Sequence, residues 1–134
     1  MKPAGYSGTP LPQKLGLKAG QRVWLVNAPD GFEKNVPRDA TLLDRLAKPI
    51  DFAAIFVTST SDLTNRLPKL IAALAPAGMI WACWPKKASK VPTDLTEDVI
   101  REIALVAGVV DVKVCAISDV WSGLKLVIRV KDRK

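Results

Sequence analysis

Residues 51–84, DFAAIFVTSTSDLTNRLPKLIAALAPAGMIWACW, contain the pattern that decides the fold. Two continuously apolar runs, 52–57 and 79–84, are typical of strands that are buried on both faces. Between them, apolar residues recur at spacings of three and four, which predicts a helix with one buried face. Ser59 or Ser61 is available as its N-cap, and Pro68 predicts a kink or a restart within it. Strand, helix and strand together imply parallel pairing through a right-handed crossover.

Toward the N-terminus, the same reasoning predicts one more strand and one more helix. Residues 23–26 form a short apolar strand that ends at the turn NAPDG, residues 27–31. Residues 38–47, RDATLLDRLA, place Leu42, Leu43 and Leu46 on one helical face. Residues 1–21 are rich in Gly, Pro and Lys, so we expect an exposed N-terminal arm with a short helix near residues 11–15.

Toward the C-terminus, a helix is followed by two strands. Asp94 and Glu97 have the spacing of a capping box, and the helix after them is expected to end at Gly108. Its predicted buried residues are Leu95, Val99, Ile100, Ile103 and Leu105. The runs 110–117 and 124–130 read as strands, and the link between them is so short that they must be antiparallel. We therefore predict one domain over residues 22–130, followed by a charged tail at 131–134.

Composition excludes several kinds of chemistry. The 134 residues include no histidine, which removes Ser-His-Asp and Cys-His catalysis and every histidine-ligated metal. Cys83 and Cys115 lie in apolar runs, so we interpret both as buried, reduced thiols of the core. No catalytic residue, metal ligand or cofactor is predicted.

Charge and hydropathy indicate the partners and the location to expect. The net charge is +7, which favours an anionic small molecule, a nucleotide or nucleic acid. A solvated basic surface is the simpler alternative. No apolar stretch is long enough to span a membrane, and the first residues do not read as an export signal, so we expect a cytoplasmic protein.

From residue 51 onward the order of elements resembles the second half of the class I S-adenosylmethionine-dependent methyltransferase fold. The similar parts are strand 52–57, the helix ending in LAPAG, MIWACW, the helix ending in VAGVVDVKV, and the closing hairpin. The resemblance implies a Rossmann-like, open α/β sheet of about five strands in the order 1-2-3-5-4. Its first four strands would be parallel and its last strand antiparallel.

KAGQRVWLVNAPDGF resembles the strand and turn that hold the cofactor in those enzymes, with two departures. The turn has one glycine, Gly31, where methyltransferases have several, and Pro29 removes an N–H. Only 24 residues, Ala28 to Asp51, separate the first two predicted strands. Complete methyltransferases place two further strands there, including the one with the ribose-binding acid. We therefore expect a truncated fold without a cofactor and with an uncovered first-strand edge, through which a homodimer could form.

The whole chain also resembles a family of small bacterial proteins of unknown function. Long motifs carry this resemblance, namely GYSGTPL, VWLVNAP, IWACWPKKASKVPTDLTEDVIRE and VDVKVCAISDVWSGLKLV. It implies no activity.

In an open parallel sheet, ligands bind beyond the carboxyl ends of the strands. The residues expected there as ligand-binding candidates are Asn27, Asp30, Gly31, Ser59, Thr60, Trp84, Lys86, Lys87, Ser89 and Trp121. Each has a simpler explanation: Ser59 and Thr60 as helix caps, Asp30 as a turn residue bonded to its own backbone, the lysines as a solvated loop, and the tryptophans as packing.

Three functions follow, from different classes. The first, which we favour, is a non-catalytic module that binds an anionic ligand or partner at the basic carboxyl edge. The second is a nucleic-acid-binding protein, and the third is an S-adenosylmethionine-dependent methyltransferase.

Overall fold

The computed structural model describes residues 9–133, and within them strands and helices alternate. The helices are α1 (Leu11–Leu15), α2 (Thr60–Ala73) and α3 (Glu97–Ala107). The strands are β1 (Arg22–Val26), β2 (Thr41–Leu42), β3 (Ile50–Phe56), β4 (Leu74–Pro85), β5 (Val110–Ala116) and β6 (Trp121–Val127). Short 3-10 turns occupy Phe32–Asn35, Lys87–Ser89 and Val130–Asp132.

The strands form one sheet in the order β2-β1-β3-β4-β6-β5. Strands β1, β2, β3 and β4 pair in parallel, and β6 lies antiparallel between β4 and β5. The five predicted strands are therefore present in their predicted order and directions, and the α/β, Rossmann-like fold is confirmed. The additional strand is β2, which has only two residues.

The predicted helix over residues 38–47 is wrong. Thr41 donates its N–H to the carbonyl of Gln21, and Leu43 donates to the carbonyl of Val23, so this stretch pairs with β1 as β2. Leu42 and Leu46, which the helix would have buried, are exposed. The backbone groups of β1 need partners, and that tertiary requirement overrides a local helical pattern. Since β2 pairs with Arg22 and Val23, the first strand is not the edge of the sheet.

Three smaller expectations also change. The closing strand begins at Trp121 and ends at Val127, three residues earlier than predicted at each end. Leu105 is exposed, because Ile100 and Ala104 define the buried face of α3. Helix α2 continues through Pro68 as one element, so of the predicted kink or restart the restart is excluded.

The sheet is covered differently on its two faces. On one face, α2 and α3 pack through Leu63, Leu67 and Ile100 against strand residues such as Ile80 and Leu126. We call this the helical face. On the other face, which we call the α1 face, fewer residues cover the sheet, and Leu15, Leu17 and Phe32 pack there with Phe52, Phe56 and Trp81. No helix among the described residues is long and apolar enough to cross a membrane.

Trp81 links the sheet to the segment that was expected to be an exposed arm. Its side chain is fully buried, and its indole N–H donates to the carbonyl of Leu15 across 2.8 Å. Leu15 ends α1 and is itself buried. One hydrogen bond inside the core therefore fixes α1 over the central strand β4.

We predict that Trp81→Phe lowers the free energy of unfolding by about 2–4 kcal/mol, because it leaves the buried Leu15 carbonyl without a donor and also removes ring volume. Urea unfolding followed by circular dichroism measures the change. Trp24→Phe is the matched control, since Trp24 is only partly buried; its expected cost is below about 1.5 kcal/mol. Equal losses in the two variants would contradict the importance of this hydrogen bond.

Candidate functional site

The predicted site residues lie at one edge of the sheet but on both of its faces. Strands β1, β3, β4 and β5 all end at this edge, and the antiparallel β6 begins there. Trp84 packs within the helical-face cluster. Trp121 and Phe32 pack instead with the α1-face cluster, so the sheet separates the predicted residues into two groups.

The α1-face group surrounds the turn after β1. Asn27 and Gly31 both have left-handed backbones, with φ of 55° and 87°, as the sharp turn requires. Phe56 then stacks edge-to-face with Phe32 and with Trp121, with centroids 5.1 Å apart in each pair. Asp30 is exposed, and none of the described residues donates a hydrogen bond to its carboxylate, so its predicted bond to its own backbone is absent.

The helical-face group includes the N-terminus of α2. Ser59 is the N-cap, and its hydroxyl accepts the N–H of Asp62, which confirms one of the two predicted caps. Thr60 donates its N–H to Asp94 Oδ1 across 2.8 Å and its hydroxyl to Asp94 Oδ2 across 3.0 Å. The Asp94 carboxylate thus occupies the N-terminus of α2, where the helix dipole favours a negative charge.

Asp94 therefore does not cap α3, as its spacing from Glu97 had suggested. Thr96 is the N-cap of α3, and its hydroxyl accepts the N–H of Val99. Thr93 adds a second tie, because its hydroxyl donates to the carbonyl of Thr58 across 2.6 Å. Together Thr93 and Asp94 fasten the loop between β4 and α3 to the start of α2.

A cleft of about 520 Å³ opens beside this fastened loop, between the end of β4 and the start of α3. Of the predicted residues, Trp84 and Lys87 line it. Its remaining lining residues were not among the predicted ligand-binding candidates, and they are Pro85, Lys90, Val91, Pro92, Thr93, Leu95, Thr96 and Glu97. Their position in the loop that connects a strand's carboxyl end to the next helix was the signal that could have identified them.

Lys86 and Ser89 shape the loop from within. The N–H of Lys86 donates to the carbonyl of Val120 across 2.7 Å, which joins the loop to the β5–β6 hairpin. The Ser89 hydroxyl donates to the carbonyl of Lys86 across 2.6 Å and accepts the N–H of Val91. These bonds hold the short turn that presents Lys87 and Lys90 at the cleft.

The residues that line the cleft offer a ligand charged groups and apolar contacts. Glu97 is its one carboxylate among the lining residues, and Arg101 binds it across 2.5 Å. Both cysteines are buried and free, and burial raises the pKa of the Cys83 thiol far above its ordinary value. Among residues 9–133, no group of three or more Cys, Asp or Glu side chains could hold a metal ion.

We predict that Asp94→Ala lowers the free energy of unfolding by about 1–2 kcal/mol, because the variant loses the carboxylate at the N-terminus of α2. Thermal or urea unfolding measures the loss. Asp98→Ala is the matched control, since Asp98 is an exposed partner of Arg101 and should contribute less than about 1 kcal/mol. A loss no greater than that of the control would show that Asp94 does not hold the loop.

Several solved methyltransferase structures share this fold at low sequence identity. One is a SAM-dependent methyltransferase from Aquifex aeolicus, with a TM-score of 0.60, 17% identity and 87% of each chain covered. Precorrin-6y C5,15-methyltransferase from Geobacter metallireducens GS-15 has a TM-score of 0.58 at 12% identity, covering 88% of this chain and 85% of its own. A TehB-like SAM-dependent methyltransferase from Corynebacterium glutamicum has a TM-score of 0.56 at 10% identity, covering 94% and 91%.

Sequence similarity places the chain in a family without assigning it an activity. None of the curated proteins is significantly similar to it in sequence. The model of one family, described as "Protein of unknown function (DUF3052)", matches residues 13–130. Because this model matches most of the chain, the chain belongs to the DUF3052 family.

Proposed function

We propose that the chain is a non-catalytic binding module whose cleft between β4 and α3 takes up an anionic small molecule with a flat apolar part, such as a nucleotide. The observation that carries the proposal is the combination within one cleft of Lys87 and Lys90 with an apolar floor. A volume of about 520 Å³ lies within the usual range of small-molecule sites.

Charge supports an anionic ligand. Neither Lys87 nor Lys90 belongs to an ion pair among the described residues, so both positive charges are free to attract one. Glu97, the carboxylate nearest to them in the lining, is already neutralised by Arg101. The net field of the cleft is therefore positive, and it favours an anion.

The apolar part of the ligand would contact Val91, Pro92 and the edge of Trp84. Trp84 is only 8% exposed and Leu95 only 3%, so these two side chains form a floor rather than a stacking platform. The fastening by Thr93 and Asp94 supports the proposal further, because a loop held in place loses little freedom when the ligand binds.

The lining residues also favour binding over catalysis. They include no cysteine, and the one carboxylate, Glu97, is engaged by Arg101. The hydroxyls of Thr93 and Thr96 are engaged by backbone groups of Thr58 and Val99, so neither is paired with a base that would activate it as a nucleophile.

We expect the double variant Lys87→Ala, Lys90→Ala to bind a nucleoside diphosphate at least about tenfold more weakly, because each charge-assisted hydrogen bond to phosphate is worth about that factor. Isothermal titration calorimetry measures the affinity. Lys69→Ala, an exposed lysine on α2 outside the cleft, is the matched control and should bind like the parent protein. Parent protein that shows no binding at millimolar nucleotide, or variants that bind equally well, would refute the proposal.

An S-adenosylmethionine-dependent methyltransferase is the second candidate, and the fold favours it. The Aquifex match covers 87% of both chains, so the two chains are similar in length and shortness alone is no argument against this activity. Strand β2 lies beyond β1, on the side where the further strands were expected to be missing. Asp44 follows β2 and is the acid available there for a ribose. Two features of the turn after β1 argue against cofactor binding. Pro29 removes an N–H, and Gly31 is the single glycine of the turn.

A thermal-shift measurement with S-adenosylmethionine separates the two candidates. Cofactor at 100 times its dissociation constant would add about 2.7 kcal/mol of stability and raise the melting temperature by several degrees. We expect no shift at millimolar cofactor. A shift that Asp44→Asn abolishes would favour the methyltransferase.

Nucleic-acid binding and a homodimer remain weaker candidates. The net charge of +7 is the only argument for nucleic acid. The homodimer relied on an open first-strand edge, and β2 covers the first half of that edge.

A further inference from the structure

Three lysines converge on the α1 face, away from the cleft. In the strand register, Lys125 of β6 lies opposite Lys113 of β5 on one side and opposite Trp81 of β4 on the other. Directly opposed residues project from the same face of a sheet. Lys113 and Lys125 therefore share the face on which Trp81 is buried.

Lys18, in the loop after α1, lies close enough to Lys125 for its charge to act on it. The hydrogen bond from Trp81 to the Leu15 carbonyl fixes the end of α1 above this row of residues. Lys18 follows three residues later, and its N–H donates to Gln21 Oε1 across 2.8 Å. We call Lys18, Lys113 and Lys125 the lysine cluster.

The described residues leave the lysine cluster without a neutralising charge. None of its three members takes part in an ion pair within residues 9–133. The pKa of Lys125 is lowered first by burial, then by the charge of Lys113 and then by that of Lys18, so the ammonium groups of Lys113 and Lys18 both repel that of Lys125. Like charges directly opposite each other on a sheet are destabilising.

The ion-paired carboxylates of the described residues bind Arg66 and Arg101, not the lysine cluster. The first acid in the sequence is Asp30, so α1 and the loop after it contain only basic charges. The carboxylates of the four ion pairs belong to α2, α3 and Asp111. Asp111 pairs in register with Leu126, whose side chain lies on the helical face. The carboxylates of these four ion pairs therefore do not neutralise the lysine cluster.

We propose that the lysine cluster is a binding site for a compact phosphate-rich anion, of the size of a di- or triphosphate group. Lysine binds phosphate as a point charge, and three converging ammonium groups suit an anion that carries several charges close together. Adjacent strands are about 4.8 Å apart, so Lys113 and Lys125 can contact one such group at once. A bound anion would replace the repulsion between the lysines with attraction.

The geometry favours a compact anion over a nucleic-acid backbone. The cluster is a single point formed by two neighbouring strands and one loop, and a nucleic acid presents its phosphates along a line. The site is also independent of the cleft, because the two lie on opposite faces of the sheet and share no residue.

Titration with inorganic triphosphate at about 0.15 M salt tests the site, because this probe has no base to contact the cleft. Lys113 and Lys18 are exposed, so Lys113→Gln and Lys18→Gln should fold normally. We expect saturable binding to the parent protein and about tenfold weaker binding to each variant. The control variant Lys69→Gln, an exposed lysine on α2 outside both sites, should bind triphosphate like the parent.

Two further readouts distinguish a binding site from a merely structural one. Nuclear magnetic resonance titration should show the pKa of Lys125 rising when triphosphate binds, since a nearby anion favours the charged ammonium. Free Lys113→Gln should be at least as stable as the parent, because it loses a repulsion. The proposal is overturned if the parent shows no saturable binding at millimolar triphosphate, if Lys113→Gln binds as tightly as the parent, or if the double variant Lys87→Gln, Lys90→Gln weakens triphosphate binding more than Lys113→Gln does. A single-stranded oligonucleotide that binds more tightly than triphosphate through the same lysines would also overturn it, in favour of an extended polyanion.

Discussion

The structure depends on covering both faces of two central strands. Strands β3 and β4 are parallel neighbours, and almost every residue of β3 is buried. Two full helices, α2 and α3, cover one face. The other face has only the five-residue α1 and a short 3-10 turn, so large side chains must complete the cover. Trp81, bonded to the Leu15 carbonyl, is the largest of the fully buried side chains and holds this thinner layer in place.

Both proposed sites lie where the residues that pack on the sheet leave part of it uncovered. On the helical face, α3 begins only at Glu97, and the loop before it spans the end of β4 and leaves the cleft. On the α1 face, the cover reaches Trp81 but does not extend over Lys113, which is exposed on β5. Short chains cover sheets incompletely, and the uncovered ends are where polar and charged side chains can face a ligand.

Five of the six strands could be predicted from sequence because each contains an apolar run, and their order was implied by the resemblance to the methyltransferase sheet. The region before β3 could not, since the leucines of residues 42–46 have helical spacing while the backbone there serves as partner to β1. The role of Asp94 was mispredicted for a similar reason. Its spacing from Glu97 fits a cap of α3, and only the folded chain brings it to Thr60, 34 residues away in sequence. Local patterns carry no information about which distant donor a loop carboxylate will meet.

For the candidate site, the feature that could not be predicted from sequence is the face of the sheet on which each residue lies. The rule that ligands bind beyond the carboxyl ends of parallel strands identifies the edge but not the face. Trp121 pairs in register with Pro85, and Trp84 pairs with Ser122, so the two tryptophans are offset by one residue. Since successive side chains of a strand point to opposite faces, this offset sends Trp84 to the cleft and Trp121 to Phe56 on the other side. The predicted start of the last strand was three residues late, and with that error no sequence argument could assign the rings to their faces. A ligand held by Lys87 would therefore lie on the side of Trp84, with the sheet between it and Trp121.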